Sequence, residues 1–389
     1  MKKLFIRILS AAILLTACNT DKENQTDIFT KVYTSDNIQS QYFFINANKD
    51  TILKSNSGTI LRIYKNSFID SSEQPIKGQI KIELKEIFSP MDIVLGNLTT
   101  TSNGKFLESR GMIYINATSN ERQLKVDDNK VIGVIVPQKK QGNDMQIFQA
   151  EKDSQKINWV NPEPILNKQI QARGFSSTSI TWESSDSASQ KQNDQIGDTL
   201  MEKYSDVKSD TTVLVNGFKI KMFKPIKQRF VIDTTQGNVT RFMDEIQSKG
   251  INHFIEDYNI NYIFTIKTLG WANIDRLLQD PRTKEIELIT SIDNQSSFKN
   301  IYVSLIISNK KMHIPGYQKA DNTFSFTHGD FEKPSLPIGE TAIILATAYK
   351  NDKPYFDFKK ITITPNQTVS LKLNATTMEK LKADLKENL

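Results

Sequence analysis

The sequence predicts a mainly β chain: two β-sandwich-like modules with a small helical element between them and a short C-terminal helix. Three observations carry this expectation. Gln79-Ile80-Lys81-Ile82-Glu83-Leu84-Lys85 alternates polar and apolar side chains, the period of a half-buried strand. From Lys284 onward, short runs of Ile, Val, Thr and aromatic residues are separated by turn residues, the pattern of a small sandwich. Between these regions, Ser176 to Asp210 is rich in Ser, Asp, Gln and Lys. Its apolar content is too low to offset the entropy of ordering it, so a module boundary is expected there.

The chain has 389 residues and a formal charge of +6. Half of that charge sits on Lys2, Lys3 and Arg7, ahead of the apolar run Ile8 to Ala17 and the sole cysteine, Cys18. The run is shorter than the roughly 20 residues of a membrane-spanning helix and has the charge order of a secretory signal. Leu15-Thr16-Ala17-Cys18 resembles the lipobox of bacterial lipoproteins. That resemblance implies cleavage before Cys18, acylation of Cys18, and anchoring at the outer membrane on its periplasmic or cell-surface side. An ordinary cleaved signal followed by a stray thiol is the alternative. Residues 1–17 are then a signal peptide and 18–40 the lipidated cysteine and tether, polar and without aromatics over Asn19 to Asp27.

Without the leader's charge the body is near neutral, so no nucleic-acid partner is expected. A single cysteine leaves no disulfide to staple the fold. At about 100–200 residues per domain, two or three domains follow.

Residues 41–165 form the first expected module. Its strands are read from YFFINA, TILKSNSGTILRIYKNSFID, QIKIELKEIF, GMIYINATS and KVIGVIVPQK, with turns at Asp50-Thr51 and Asn56-Ser57-Gly58. The order of Gly58, Ile60, Ile63, Ser67, Phe68, Gly78, Ile80, Ile82 and Glu86, then Leu107-Glu108 and Gly111-Met112, resembles the ZU5-type β-sandwich of exported Bacteroidota proteins over roughly 50–126. ZU5 modules mediate scaffolding and contact, so the resemblance implies interaction without catalysis. Trp159 closes this module and is expected to pack in a seam.

Residues 166–211 read as a polar linker or exposed excursion holding at most one polar helix. Short Asp-Ser/Thr-x triplets there resemble the O-glycosylation acceptor of Bacteroidota, with Ser187, Thr199 and Thr211 as the candidate positions.

Residues 212–283 are expected to mix strands with a helix. Phe242, Ile246, Ile251, Phe254 and Ile255 recur at near-helical spacing, interrupted by Gly250 and Asn252. A helix, a break and a second short helix follow, then a strand Asn261 to Ile266. Next comes Leu269-Gly270-Trp271-Ala272-Asn273-Ile274-Asp275-Arg276. Gly270 permits a turn or close approach, Asn273 and Asp275 can bond nearby amides, and Trp271 needs a pocket with a partner for its indole nitrogen. A buried corner locking two modules fits these needs best. A glycan or peptide site, and a metal site using Asp275 and Asp280, are the alternatives. The GWxNxD segment resembles one found in Bacteroidota envelope lipoproteins that also carry a ZU5-like first half.

Residues 284–375 should form an immunoglobulin- or transthyretin-like sandwich, with strands near 285–290, 301–307, 323–326, 340–348, 355–363 and 368–373. In the terminal helix, 376–389, Thr376 and Glu379 have capping-box spacing, and Leu381 and Leu385 share a face.

No catalytic set emerges. His253, His313 and His328 lie far apart without metal-ligand spacing, and neither a nucleophile elbow nor a phosphate loop is present. Glu83, Glu86, Glu256, Asp257, Asp275 and Asp280 are nominal acids without an indicated pairing. The expectation is a non-catalytic envelope lipoprotein without cofactor, acting as a structural or protein-interaction module on another envelope protein or a surface polymer. The alternative is a carbohydrate-binding or glycan-processing lipoprotein that uses Trp159, Trp182 and Trp271 as stacking platforms.

Overall fold

The computed structural model describes residues 32–138, 144–153, 156–166, 180–182, 211–215, 218–222, 239–248, 261–298, 300–320, 322–327, 333–351 and 353–389. The chain is mainly β, built from several antiparallel sheets and few helices, one of them short and C-terminal, as expected.

The first half contains strands β1 (Ser40–Asn46), β2 (Thr51–Lys54), β3 (Ile60–Ile63) and β4 (Gln79–Ile87), then helix α1 (Pro90–Leu95). Strands β5 (Lys105–Ser119), β6 (Ile132–Pro137), β7 (Gln146–Asp153) and β8 (Lys156–Pro164) follow, then helix α2 (Val239–Ser248) and strands β9 (Asn261–Ile266) and β10 (Gly270–Leu277). The order β1-β4-β5-β10-β7-β8 makes a large sheet, and β9-β6-β3-β2 makes a second. The alternation in β4 works as predicted. Ile80, Ile82 and Leu84 point inward and join Ile113, Ile115 and Ile274 of the large sheet and Leu61, Val134 and Phe264 of the second in one core.

Helix α2 covers the other side of the second sheet, where Phe242, Met243 and Ile246 pack on Ile60, Ile135 and Ile263. Arg62 of β3 holds it there by donating Nε and Nη2 to the two carboxylate oxygens of Glu245 at 2.8 and 2.9 Å. Burial pushes the Glu245 carboxyl up, but the Arg62 contacts outweigh it and hold the group below its ordinary range. The second short helix expected after Gly250 lies outside the described residues.

Two expectations change. Residues 212–283 are expected to form a segment between modules, yet within them β9 pairs with β6, and β10 lies between β5 and β7. Periodicity identifies a strand but not its partner. Burial on both faces, from Ala272 through Asp275, is what an internal strand requires. The excursion 166–211 was expected to hold at most a polar helix, but Ile180–Trp182 forms a strand. It pairs with Phe218–Met222, which also pairs with Thr211–Val215. A β-branched and aromatic triplet can take a strand partner wherever one is offered.

The second half contains β11 (Leu288–Ile292), β12 (Ile301–Ile307), β13 (Met312–Pro315), β14 (Tyr317–Ala320), β15 (Thr323–Ser325), β16 (Thr341–Lys350), β17 (Lys353–Thr362), β18 (Gln367–Leu371) and helix α3 (Met378–Asn388). One sheet runs β13-β12-β16-β17 and the other β14-β15-β11-β18. Only the β11–β18 pair within these two sheets is parallel. Leu288, Leu305, Phe326, Ile344 and Leu371 lie in the core shared by these strands. The cap of α3 is Thr377, whose hydroxyl accepts from the Lys380 amide at 3.2 Å. It displaces Thr376 because the turn starts one residue later, which removes the capping-box spacing to Glu379. Leu381 and Leu385 are buried together as predicted.

Helix α1 joins the halves. Ser89 caps it by accepting from the Asp92 amide at 3.1 Å, and Pro90 occupies the first turn, where no amide hydrogen is needed. Ile93 packs toward the large sheet with Trp159 and Phe148. Val94 and Leu95 pack with Tyr33 against Tyr302, Ile306 and Leu345 of the second half.

His313 is buried at this contact. Its Nδ1–H donates to the Leu98 carbonyl at 2.8 Å, the Tyr302 hydroxyl donates to Nε2 at 3.1 Å, and one neutral tautomer serves both. Thr100 and His313 add a reciprocal pair, with the Thr100 amide donating to the His313 carbonyl and the His313 amide to the Thr100 hydroxyl.

Burial pushes the imidazole from 6.5 down to about 4. The unfolded chain therefore binds a proton near 6.5 that the folded chain refuses until about 4. Stability from this group is complete above pH 6.5 and falls as pH drops toward 4, by on the order of 3 kcal/mol. Urea unfolding at about pH 7 and about pH 5 checks this: the stability of wild type relative to a His313→Gln variant is expected to fall across the interval, and an unchanged difference would contradict the assignment.

Candidate interaction surface

The segment singled out in the sequence forms β10, and Trp271, Asn273 and Asp275 point to the outer face of the large sheet. Gly270 opens the strand at φ +127°, with open space where a Cβ would stand. Its role is therefore the backbone turn and not a close approach. The segment is an internal strand and not a turn between modules, and Asn273 and Asp275 are buried on it beside Ser109 and Lys311 of the second half.

Two regions divide this outer face. Over β7 and β8 it is covered by α1 and the chain after it. Trp159 is fully buried there and donates its indole N–H to the Thr99 carbonyl at 2.5 Å. That cover extends over Ile87 of β4 and Met112 of β5, and the face opens toward β1 and the start of β4. Trp271 is half-buried and meets Tyr114 with ring centroids 5.1 Å apart and planes tilted by 48°. Tyr114 is paired with Lys85, whose Nζ lies 6.0 Å from its ring centre and donates to the Ser35 carbonyl at 2.8 Å. Farther out, Lys81 stands 4.1 Å over the Tyr42 ring. Tyr42 is 52% and Phe44 63% exposed, the two most exposed large apolar side chains among the described residues. Such an aromatic pair contributes about 0.5–1.5 kcal/mol beyond its area.

Beneath the face lies a buried polar cluster. β5 bulges where Ile274 pairs with Gly111 and Asp275 with Ser109. Gly111 is needed because a Cβ there would stand 2.4 Å from the Phe88 ring. Asn273 donates Nδ2 to one Asp275 oxygen at 2.5 Å and accepts from Ser109 at 3.3 Å. Burial pushes the Asp275 carboxyl well above its ordinary range, and the Ser109 and Asn273 contacts only partly oppose this. Next to it, Glu108 binds Arg110 at 3.0 Å and Arg276 at 2.8 Å, and Lys311 donates to the Arg110 carbonyl at 3.0 Å.

The nominal acids are not brought together. Glu83 and Glu86 sit on opposite faces of β4, Asp280 is paired with Arg282 and Lys310, and Glu256 and Asp257 lie outside the described residues. Among the described residues, no three His, Cys, Asp or Glu side chains converge to hold a metal. Cys18, Ser187 and Thr199 also lie outside them, as do His253 and His328. Thr211 begins the strand Thr211–Val215. A cavity of about 420 Å³ opens beyond β10, with Lys105, Phe106, Leu277, Leu278 and Lys333 among its lining residues.

The sequence reading missed Tyr42, Phe44 and Tyr114. Alternation in YFFINA was the available signal, since Tyr42 and Phe44 fall on the face opposite Phe43 and Ile45. Compared with known proteins, the chain matches no family model, no curated protein and no solved structure.

Asp275 gives a second pH signature of opposite sign. Its carboxyl ionises near pH 3.9 when unfolded and far higher when folded, so its contribution to stability declines as pH rises above about 4. Replacing Asp275→Asn removes that decline. The variant is expected to gain stability relative to wild type as pH rises above about 4 in denaturant melts, and parallel profiles would contradict the assignment.

Proposed function

We propose that the chain is a non-catalytic envelope lipoprotein, anchored at the outer membrane through acylated Cys18. It acts as a structural or protein-interaction module whose contact surface is the open face around Tyr114 and Trp271. One observation carries this reading. Among the described residues, the nominal acids are paired or set on different faces, whereas Tyr42 and Phe44 stand exposed and Tyr114 and Trp271 half-exposed on a rigid sheet. Aromatics exposed on a fixed scaffold are the usual anchors of protein contacts. The lipid supplies the second element, concentrating the module at a surface so that modest contacts suffice. The ZU5-like order of residues in the first half supports the same class of role.

The second reading is a carbohydrate-binding lipoprotein, favoured by the half-exposed Trp271. The fully buried Trp159 is removed from that list of platforms, and the 48° tilt between Trp271 and Tyr114 denies a flat sugar one continuous surface.

In-cell crosslinking of the lipidated chain tests the proposal, beside Cys18→Ala and a Tyr114→Ala/Trp271→Ala variant. A defined envelope protein is expected to be captured by the anchored form and lost, by about tenfold or more, from both variants. If none is enriched and the purified body instead binds or shortens a polysaccharide, the second reading takes its place.

A further inference from the structure

The large sheet ends in two unlike edges. At one end, β8 carries Pro162, Glu163 and Pro164, and its ladder with β7 shifts register between Ile147 and Gln149. Charges, prolines and bulges are the devices that keep an edge from pairing with another chain. At the other end, β1 reads Ser-Gln-Tyr-Phe-Phe-Ile-Asn, with no charge, no proline and an unbroken register to β4 over seven residues. Among the described residues β4 is its one neighbour. We propose that β1 pairs with β1 of a second copy of this chain, antiparallel and centred on Phe43, so that two large sheets join into one.

The backbone fixes this register. The Ala47 amide donates to the Gly78 carbonyl at 2.8 Å, continuing the pair Asn46–Gln79. In an antiparallel ladder, hydrogen-bonded pairs recur every second residue. Gln41, Phe43 and Ile45 therefore bond to β4, while Ser40, Tyr42 and Phe44 turn their N–H and C=O groups outward. A two-fold axis through Phe43 sets Tyr42 opposite Phe44 of the second copy, and Phe44 opposite its Tyr42. Each of these pairs exchanges two hydrogen bonds.

The side chains fit the same axis. On the outer face, Tyr42 and Phe44 are 52% and 63% exposed, and cross-strand aromatic pairs are among the more favourable ones. Phe44 lies beside Lys81 and Tyr42 beside Glu83. The row across the joint thus runs Lys81, Phe44, then Tyr42 and Glu83 of the second copy, with opposite charges at its ends. On the inner face, Phe43 meets its counterpart and extends the core that holds Ile82. The Gln41 amide is satisfied within its own chain, donating to Glu86 at 2.7 Å and accepting from the Asn56 amide at 2.8 Å. The pairing does not depend on the lipid anchor.

Sedimentation of the full chain, made with Cys18→Ala so that acyl groups do not drive association, tests this. A dimer is expected at micromolar concentration. Tyr42→Lys/Phe44→Lys sets like charges opposite one another and yields monomers, as does Tyr42→Glu/Phe44→Glu, and an equal mixture of the two restores the dimer. Because both side chains are exposed, thermal melting of each variant stays close to that of its monomer, and the single Phe44→Lys variant serves as a milder form. A parent chain that stays monomeric to about 100 µM, or dimers that survive in both double variants, would overturn the proposal.

Discussion

The structure depends on the placement of one strand, β10, between β5 and β7. Its ladder to β5 runs from Gly270–Ile115 to Leu277–Leu107, and its ladder to β7 from Ala272–Gln149 to Asp275–Gln146. Without it, β7 and β8 have no sheet to join. The segment is remote in sequence from both neighbours, so it closes the first body only after the chain between has been passed over. Such long-range pairing carries a loop-closure cost that only burial of the completed sheet offsets. Because Leu277 ends the strand at the second half, β10 also fixes where that half begins.

From this strand the polar interior follows. Asn273 and Asp275 are carried into the sheet by strand alternation, and the β5 bulge at Gly111 turns Ser109 toward them. Burial then pushes the Asp275 carboxyl well above its ordinary range, while the same cause lowers the imidazole of His313 at the contact between the halves. The two groups respond to pH in opposite directions, because burial disfavours the charged form of each. Among the described residues, charged acids are buried only where an arginine pairs them, as Glu245 with Arg62, Glu108 with Arg110 and Arg276, and Asp280 and Glu340 with Arg282.

Much of this was legible in the sequence because it depends on local period. The alternation in β4, the limits of β9 and β12, the α2 face of Phe242 and Ile246, and the shared burial of Leu381 and Leu385 all follow from spacing. What depends on partner choice was not. That 270–277 is an internal strand, that Ile180–Trp182 pairs with Phe218–Met222, and that β11 runs parallel to β18 are consequences of tertiary assembly. Helix α1 was available from Ser89-Pro90 and Asp92 and went unread because it is short. For the surface, Trp271 was found by its distinctive segment. Tyr114 was not, since only the β5–β10 register brings the two rings together.

Hydrogen exchange at the β10 amides tests the central placement most directly. The account predicts that Ala272 to Ile274 exchange among the slowest amides of the chain, together with their β5 partners Ile113 and Met112, opening only with global unfolding. Exchange as fast as that of an edge strand, or protection lost independently of β5, would contradict it.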